Sequence, residues 1–442
     1  MRCGTVTVPT DYQHPKGSSI PVAVTEAPAQ DPSDQLGTLV MNPGGPGESG
    51  VQIQPVLLQK LPTDIREHFD IVSFDPRGTG ASDPLRCGTS PAAAVSVGVL
   101  PTKAGQPLPS TPLFTEMARN CQALAGTTVP FMTTINTARD MDRIRQALGL
   151  SKISYYGLSY GTVLGAVYAT LFPHRVATMI LDGAVNVNAT LTTQAEEEAP
   201  AAEQSLQHLF TTCVQQAPCP LGDDPQSFFT KLSTSLTDHP LPAPGDGDSS
   251  PVTAGDLDTA TLFALSVPDF TPSYYPALIA AEHGNGAPLR ALSITFDTDL
   301  DGSPLVDAEW AIACNDAAVH PGPIAAGDLA RSLAARYPLM GAYSVTYTLA
   351  GCVAWPKSRQ PVTNLHPVGT PPIMVIGNTG DPNTPIVGAR ALAALFPGAK
   401  MVTWEGWGHT WLLSGSGDTC VQRLVSTYLS GGGLPSADTT CS

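Results

Sequence analysis

The chain has 442 residues, of which 42% are hydrophobic and 14% charged. That composition supports a sizeable core and argues against a disordered chain, and the length suits a core domain with a large insertion. A net charge of −16 argues against nucleic acid and anionic membranes as partners, because both require a basic surface.

Glycines and prolines are plentiful but scattered, and there is no internal repeat or heptad pattern. No apolar run is long enough to span a bilayer. The nine cysteines form no C-x-x-C pair and no H-E-x-x-H occurs, so no zinc site is expected, nor any cofactor. Many cysteines sit in Gly/Pro/Ser-rich loops, as the disulfides of an exported protein do. The pairs near in sequence are Cys87–Cys121, Cys213–Cys219, Cys314–Cys352 and Cys420–Cys441, with Cys3 left over; spacing alone leaves the connectivity open. No signal peptide precedes Cys3, and the odd count suggests a missing N-terminal piece with a signal and a partner for that cysteine.

In chain order, residues 4–8 and 20–26 read as a pair of antiparallel strands, and Thr38–Met41 as a short buried strand. The last runs into Asn42-Pro-Gly-Gly-Pro-Gly47, a loop without room for side chains. Its backbone N–H groups could approach a substrate oxygen closely. Phe69–Phe74 is another strand, followed by the polar loop Asp75–Asp83, in which Arg77 reads as a structural tie to the sheet. Residues 88–112 read as an excursion with little regular structure. Residues 137–148 form an amphipathic helix with Met141, Ile144 and Leu148 on one face, stopped by Gly149.

Lys152–Tyr156 is a short β-prone segment, and the run after Thr162 is small and apolar like a buried helix. Between them stands Gly157-Leu-Ser-Tyr-Gly161. A G-x-S-x-G between a strand and a helix reads as a nucleophile elbow. Val176–Leu181 is the next strand. The alternation of strands and helices to this point implies a parallel sheet flanked by helices. It breaks off from about 190 to 364, a mostly helical region with Pro-rich breaks between Pro240 and Pro251. Asn188-Ala-Thr190 is a possible glycosylation sequon. Alternation resumes with the strand 372–377, a helix at 386–396, the strand 399–404 and a final helix at 420–428. The expected organisation is a core domain from 1–189 and 365–442, with a cap inserted over 190–364.

Functional groups in an open α/β sheet gather at the carboxyl ends of its strands. Ser159, Asp381 and His409 each follow a predicted strand, in the chain order Ser, Asp, His of α/β-hydrolases. In this reading His409 takes the proton of Ser159, and Asp381 holds the imidazole and stabilises its cation. The oxyanion rests on backbone N–H groups of Tyr160 and of Gly45 or Gly44. Asp418 is the rival acid, but it follows His409 and breaks the order. Asp75 and Asp182 follow strands too early and read as structural.

At this point the residues resemble a known family. Asn42–Gly47, Phe74-Asp-Pro-Arg-Gly-Thr-Gly80, Gly157–Thr162, Gly380-Asp-Pro-Asn-Thr-Pro385 and Gly408-His409 together look like the tripeptidyl aminopeptidase branch of the α/β-hydrolases, secreted serine peptidases related to prolyl aminopeptidases. The resemblance runs the length of the chain and is weakest between about 190 and 310. It implies an exopeptidase that cleaves short peptides from a free N-terminus, with Ser159, Asp381 and His409 catalytic. It also implies a signal peptide, an upstream cysteine, and cap acids that hold the substrate ammonium. Glu196, Glu197, Glu198, Glu203 and Asp316 are the candidates, and Glu197, Glu198 and Asp316 are carried forward. The sequence has Asn186 where the resemblance leads one to expect an acid. A peptide or a small acyl compound is the expected partner, and a monomer the expected state. Two other readings stand beside the peptidase: an esterase or amidase with the same triad, and a non-catalytic binding protein on a hydrolase scaffold.

Overall fold

The structure, a computed structural model, describes all residues except 99, 217, 244–248 and 416. Among these, nine strands are β1 (Arg2–Pro9), β2 (Ser19–Ala27), β3 (Gly37–Asn42), β4 (Phe69–Phe74), β5 (Ile153–Leu158), β6 (Val176–Asp182), β7 (Met374–Gly380), β8 (Lys400–Trp407) and β9 (Thr439–Cys441). They form one sheet in the order β1-β2-β4-β3-β5-β6-β7-β8-β9. The β1–β2 and β2–β4 pairs are antiparallel and the rest of the sheet is parallel. This is the expected α/β-hydrolase architecture.

The two faces of the sheet are covered by different helices, and the alternation of side chains along each strand decides which cluster a residue joins. Val40 of β3 and Tyr155 of β5 pack with Met141, Ile144, Leu164 and Val167 on one face. Leu39 and Met41, with Tyr156 and Leu158, pack with Leu57, Val421 and Val425 on the other. Both faces are covered, so the inner strands read as near-continuous apolar runs. The helix Gly50–Lys60 on the second face carries the Leu57 contact and was not anticipated, and neither was the edge strand β9. The amphipathic helix spans Thr134–Ala147 and begins at the N-cap Thr133. Leu148 is the C-cap residue beyond its last turn and is exposed, unlike Met141 and Ile144.

The chain leaves the sheet after β6 and returns to pair beside it as β7. Between them lie helices, from the 25-residue Leu191–Gln215 to Gly341–Leu349. The Pro-rich break expected at 240–251 lies partly outside the described residues. Residues 88–112 are more regular than their composition suggests, since they contain the helix Pro91–Val95 and run into the start of the helix Thr111–Ala125. Phe114 and Met117 of the second join Val306, Trp310 and Leu349 in one buried cluster, and the Phe114 and Trp310 rings meet edge to face at 5.2 Å. The helical layer over the sheet is therefore built from two stretches of chain. All four cysteine pairs that are near in sequence form disulfides, and Cys3 is free and exposed. Among the described residues no helix is long and apolar enough to cross a membrane.

Candidate active site

Strand β5 delivers Ser159 directly to the N-terminus of the helix Tyr160–Leu171, where the serine is the cap residue at φ 53° and ψ −124°. A non-glycine residue at positive φ is strained and persists only where its surroundings hold it. They do so here. The Ser159 N–H donates to the Asp182 carbonyl at 2.9 Å. The Ser159 carbonyl accepts from Thr162 Oγ1 at 2.6 Å. The turn admits only glycine at its flanks: a Cβ on Gly157 would stand 2.3 Å from the Gly161 carbonyl oxygen, and one on Gly161 would stand 2.7 Å from that of Asn42. The helix N-terminus beneath Ser159 favours negative charge.

The end of β3 pairs Asn42 with Gly157, which lays the glycine loop alongside the elbow. A Cβ on Gly44, at φ 120°, would stand 2.9 Å from both the Leu158 oxygen and the Ser159 Cβ. Gly44 is buried, whereas Gly45 is exposed and lines a cavity with Ser159 and Tyr160.

Asp381 follows β7 and is 1% exposed. Its Oδ1 accepts from the N–H groups of Asn383 (2.9 Å) and Thr384 (2.8 Å), and its Oδ2 from Thr384 Oγ1 (2.9 Å) and the Thr410 N–H (3.2 Å). His409 Nδ1 lies 3.0 and 3.1 Å from the two oxygens. So many donors fix the carboxylate as an acceptor and the Nδ1 proton as its gift. Burial alone would make His409 less basic. The Asp381 charge and hydrogen bonds, with Asp182 and Glu48 behind them, outweigh burial and raise its pKa above the ordinary imidazole value. The ring bonds only through Nδ1, and neither Nε2 nor Ser159 Oγ has a hydrogen-bond partner among the described residues. A Cβ on Gly183 would stand 3.4 Å from His409 Cε1, and Gly183 directly follows Asp182, whose carbonyl accepts from the Ser159 N–H.

The rival acids have other work. Asp418 caps the helix Thr419–Thr427. Asp182 accepts from the N–H groups of Trp411 and Leu412 and from Tyr156 Oη, and burial pushes its pKa up to about 6. Asp75 accepts from Ser49 Oγ at 2.6 Å and from two backbone N–H groups. Arg77 is fully buried, paired with Asp140 at 2.6 Å and bonded to the carbonyls of Pro9, Thr10 and Phe131; it ties the loop to the end of β1.

Above Ser159 lies a cavity of about 310 Å³. Its walls are largely apolar, with Val163, Val185, Val187 and Trp310 among them, and three carboxylates reach it: Glu198, Glu309 and Asp316. No Lys, Arg or His is among its lining residues. Burial pushes Glu198 up to about 8, against a 2.6 Å bond from Thr348 Oγ1 and with the charges of Glu197 and Asp381 adding to the rise. Glu309 is raised to about 8 by burial and by Asp297, and Asp316 to about 7 by burial against two bonds from Thr134. Glu48, beside the glycine loop, is raised to about 7 by burial and by Asp299.

Of the cap acids singled out in the sequence, Glu198 and Asp316 reach the cavity. Glu197 sits beside it, with its carboxylate accepting from Asn186 Nδ2 at 3.1 Å, so the cap brings an acid to the place where the sequence carries an amide. Glu196 is exposed. Glu203 is buried and accepts from the N–H groups of Leu339 and Met340. Glu309 was missed. A signal for it existed: it precedes Asp316 by seven residues on the helix Val306–Asp316, two turns along the same face.

Residues 337–441 match the model of the family described as TAP-like protein. The chain is 32% identical to the serine protease Hip1 of Mycobacterium tuberculosis, over 99% of this chain and 87% of that protein. It is 31% identical to a tripeptidyl aminopeptidase of Streptomyces coelicolor, over all of this chain and 83% of that one. It is 32% identical to carboxylesterase B of M. tuberculosis, over all of this chain and 86% of that one. With the sheet, the elbow and the acid–histidine pair already in place, these likenesses put the chain in the tripeptidyl aminopeptidase branch of the α/β-hydrolases, as a serine hydrolase.

Proposed function

We propose that the protein is an exported serine peptidase that releases tripeptides or dipeptides from free N-termini. Residues 1–189 and 365–442 supply the chemistry and 190–364 cap it. Ser159 attacks the scissile carbonyl while His409 Nε2 takes its proton. Asp381 holds the Nδ1–H and stabilises the imidazolium. The tetrahedral oxyanion is held by the N–H groups of Tyr160 and Gly45. The protonated His409 then donates to the leaving amine, and water resolves the acyl-enzyme by the same route in reverse. The four disulfides support an oxidising destination.

The observation that carries the peptide reading is the acidic lining of the cavity: three carboxyl groups and, among the described residues, no basic one around the space above Ser159. Carboxylates whose pKa is raised by burial lack a counter-charge, and a substrate ammonium supplies one. A free-N-terminus tripeptide p-nitroanilide should turn over with kcat/KM roughly 10- to 100-fold above its acetylated form, the worth of one charge-assisted hydrogen bond. Equal rates would sink the aminopeptidase reading. Ser159→Ala should lose on the order of 10³-fold or more in kcat. The likeness to carboxylesterase B favours a second reading, an esterase with the same machinery. Preference for short p-nitrophenyl esters over every free peptide would select it.

A further inference from the structure

Asp316 lines the cavity, yet its hydrogen bonds run away from it. Its Oδ1 accepts the Thr134 N–H at 2.9 Å and its Oδ2 accepts the Thr134 hydroxyl. The Thr134 Oγ1 also bonds the Tyr160 hydroxyl. A threonine has one hydroxyl proton, and an ionised carboxylate only accepts. Above its pKa of about 7 Asp316 is ionised, and the direction of the chain follows: Tyr160 Oη donates to Thr134, and Thr134 donates to Asp316. Tyr160 is 7% exposed, lines the cavity, and is the first residue of the elbow helix, so its own N–H has no partner within that helix.

The cap end of this chain is itself clamped. The Val362 N–H donates to the Asp316 carbonyl at 2.8 Å. Asn315 Nδ2 donates to the carbonyls of Val129 (2.7 Å) and Met132 (3.1 Å), and Trp355 Nε1 donates to Asn315 Oδ1 at 3.0 Å. Cys314 is in disulfide linkage with Cys352. The end of one cap helix is thereby stitched to the core segment that carries Thr134.

We propose that Asp316 is a positioning residue: acting through Thr134, it fixes the phenol of Tyr160 and hence the Tyr160 N–H that holds the oxyanion, so that the cap completes the oxyanion hole. This rests on the acyl-transfer reading of Ser159. It gives Asp316 a role other than ammonium ligand and leaves that role to Glu198 and Glu309.

The test uses two substrates, a free tripeptide p-nitroanilide and p-nitrophenyl acetate, which has no ammonium. Thr134→Val keeps the shape and removes the hydroxyl, Tyr160→Phe removes the donor, and Asp316→Asn replaces one of two acceptors by a donor. Each should lower kcat roughly tenfold on both substrates, since small displacements of aligned groups are costly, with KM little changed. Thr134→Ser should restore most of the rate. The double variant Thr134→Val/Tyr160→Phe should be no slower than the worse single one, because both break the same chain. An Asp316→Asn protein that raises KM for the peptide alone, with ester kcat intact, would overturn the proposal. Wild-type kcat in Thr134→Val and Tyr160→Phe would do the same, and these two variants carry the decision if Asp316→Asn fails to fold. Ser159→Ala is read separately: wild-type turnover there overturns the acyl-transfer reading, whereas its loss alongside wild-type kcat in Thr134→Val overturns only the positioning role.

Discussion

His409 is held between two opposing effects, and their balance fixes the acid side of the pH profile. Burial favours the neutral ring; Asp381, Asp182 and Glu48 favour the cation and prevail. A general base works in its neutral form. Activity should therefore rise with pH through a pKa above the ordinary imidazole value near 6.5, not at it. Asp381→Asn removes the largest charge that raises this pKa, so the limb should move to lower pH while kcat falls on the order of 10³- to 10⁴-fold. A limb that stays in place in Asp381→Asn would show that other charges set it. The members of this pair were legible in the sequence because each follows a strand and each stands in a tight Gly-bearing loop. Glu48 was not legible, since what makes it unusual is burial and the nearby charge of Asp299, and Glu309 carried only its spacing to Asp316 as a signal. Asp316 was legible as a cavity acid, but its two bonds to Thr134 join segments 182 residues apart, a distance that no local pattern reports.

Among the elements, the elbow is the one whose sequence and geometry agree most closely. Strand β5, the turn and the helix Tyr160–Leu171 were all readable because β-propensity, two glycines and a small apolar run follow in order. The reason for the glycines is a backbone contact: a Cβ at Gly157 would meet the Gly161 oxygen at 2.3 Å, and Tyr155 Cε1 at 2.7 Å. The carbonyl cannot swing aside without unwinding the first helical turn. Gly157→Ala should lower stability by about 1–3 kcal/mol or more, the usual cost of forcing a methyl into filled space. A fluorophosphonate probe should label Ser159 more slowly in that variant. An unchanged denaturation midpoint with unchanged labelling would show that the turn relaxes freely. By contrast the helix Gly50–Lys60 went unseen, although Ser49 caps it through Gln52, because Pro55 inside it and a mixed polar pattern hide its buried face. The strand β9 is three residues long, pairs with β8 and is tied by Cys441 to Cys420, and it is too short for any periodicity to mark it.

At the scale of the whole molecule, the helical stretch between β6 and β7 carries two disulfides of different kinds. Cys314–Cys352 closes 38 residues and clamps the helix end that carries Asn315 and Asp316. Cys213–Cys219 closes only 6 residues at the far end of the helix Leu191–Gln215. The fold of the cap was not readable in the sequence, because its helices bury faces against one another and against the helix Thr111–Ala125 rather than against a regular sheet. The candidate disulfide pairs were visible as cysteines near in sequence, but the spacing left their connectivity open, and the structure joins all four. By loop-closure entropy the longer bridge stabilises by about 4 kcal/mol and the shorter by about 2 kcal/mol. Both cysteines of the longer bridge are fully buried, so replacing them adds a packing loss to the entropic one. The Cys314→Ala/Cys352→Ala protein should thus unfold at a clearly lower denaturant concentration than Cys213→Ala/Cys219→Ala. It should also lose kcat on both ester and peptide, because the clamp on Asp316 loosens, while the shorter-bridge variant keeps its rate per folded molecule. Equal loss of activity in the two would mean that the rigidity of the site does not pass through the Cys314–Asp316 turn.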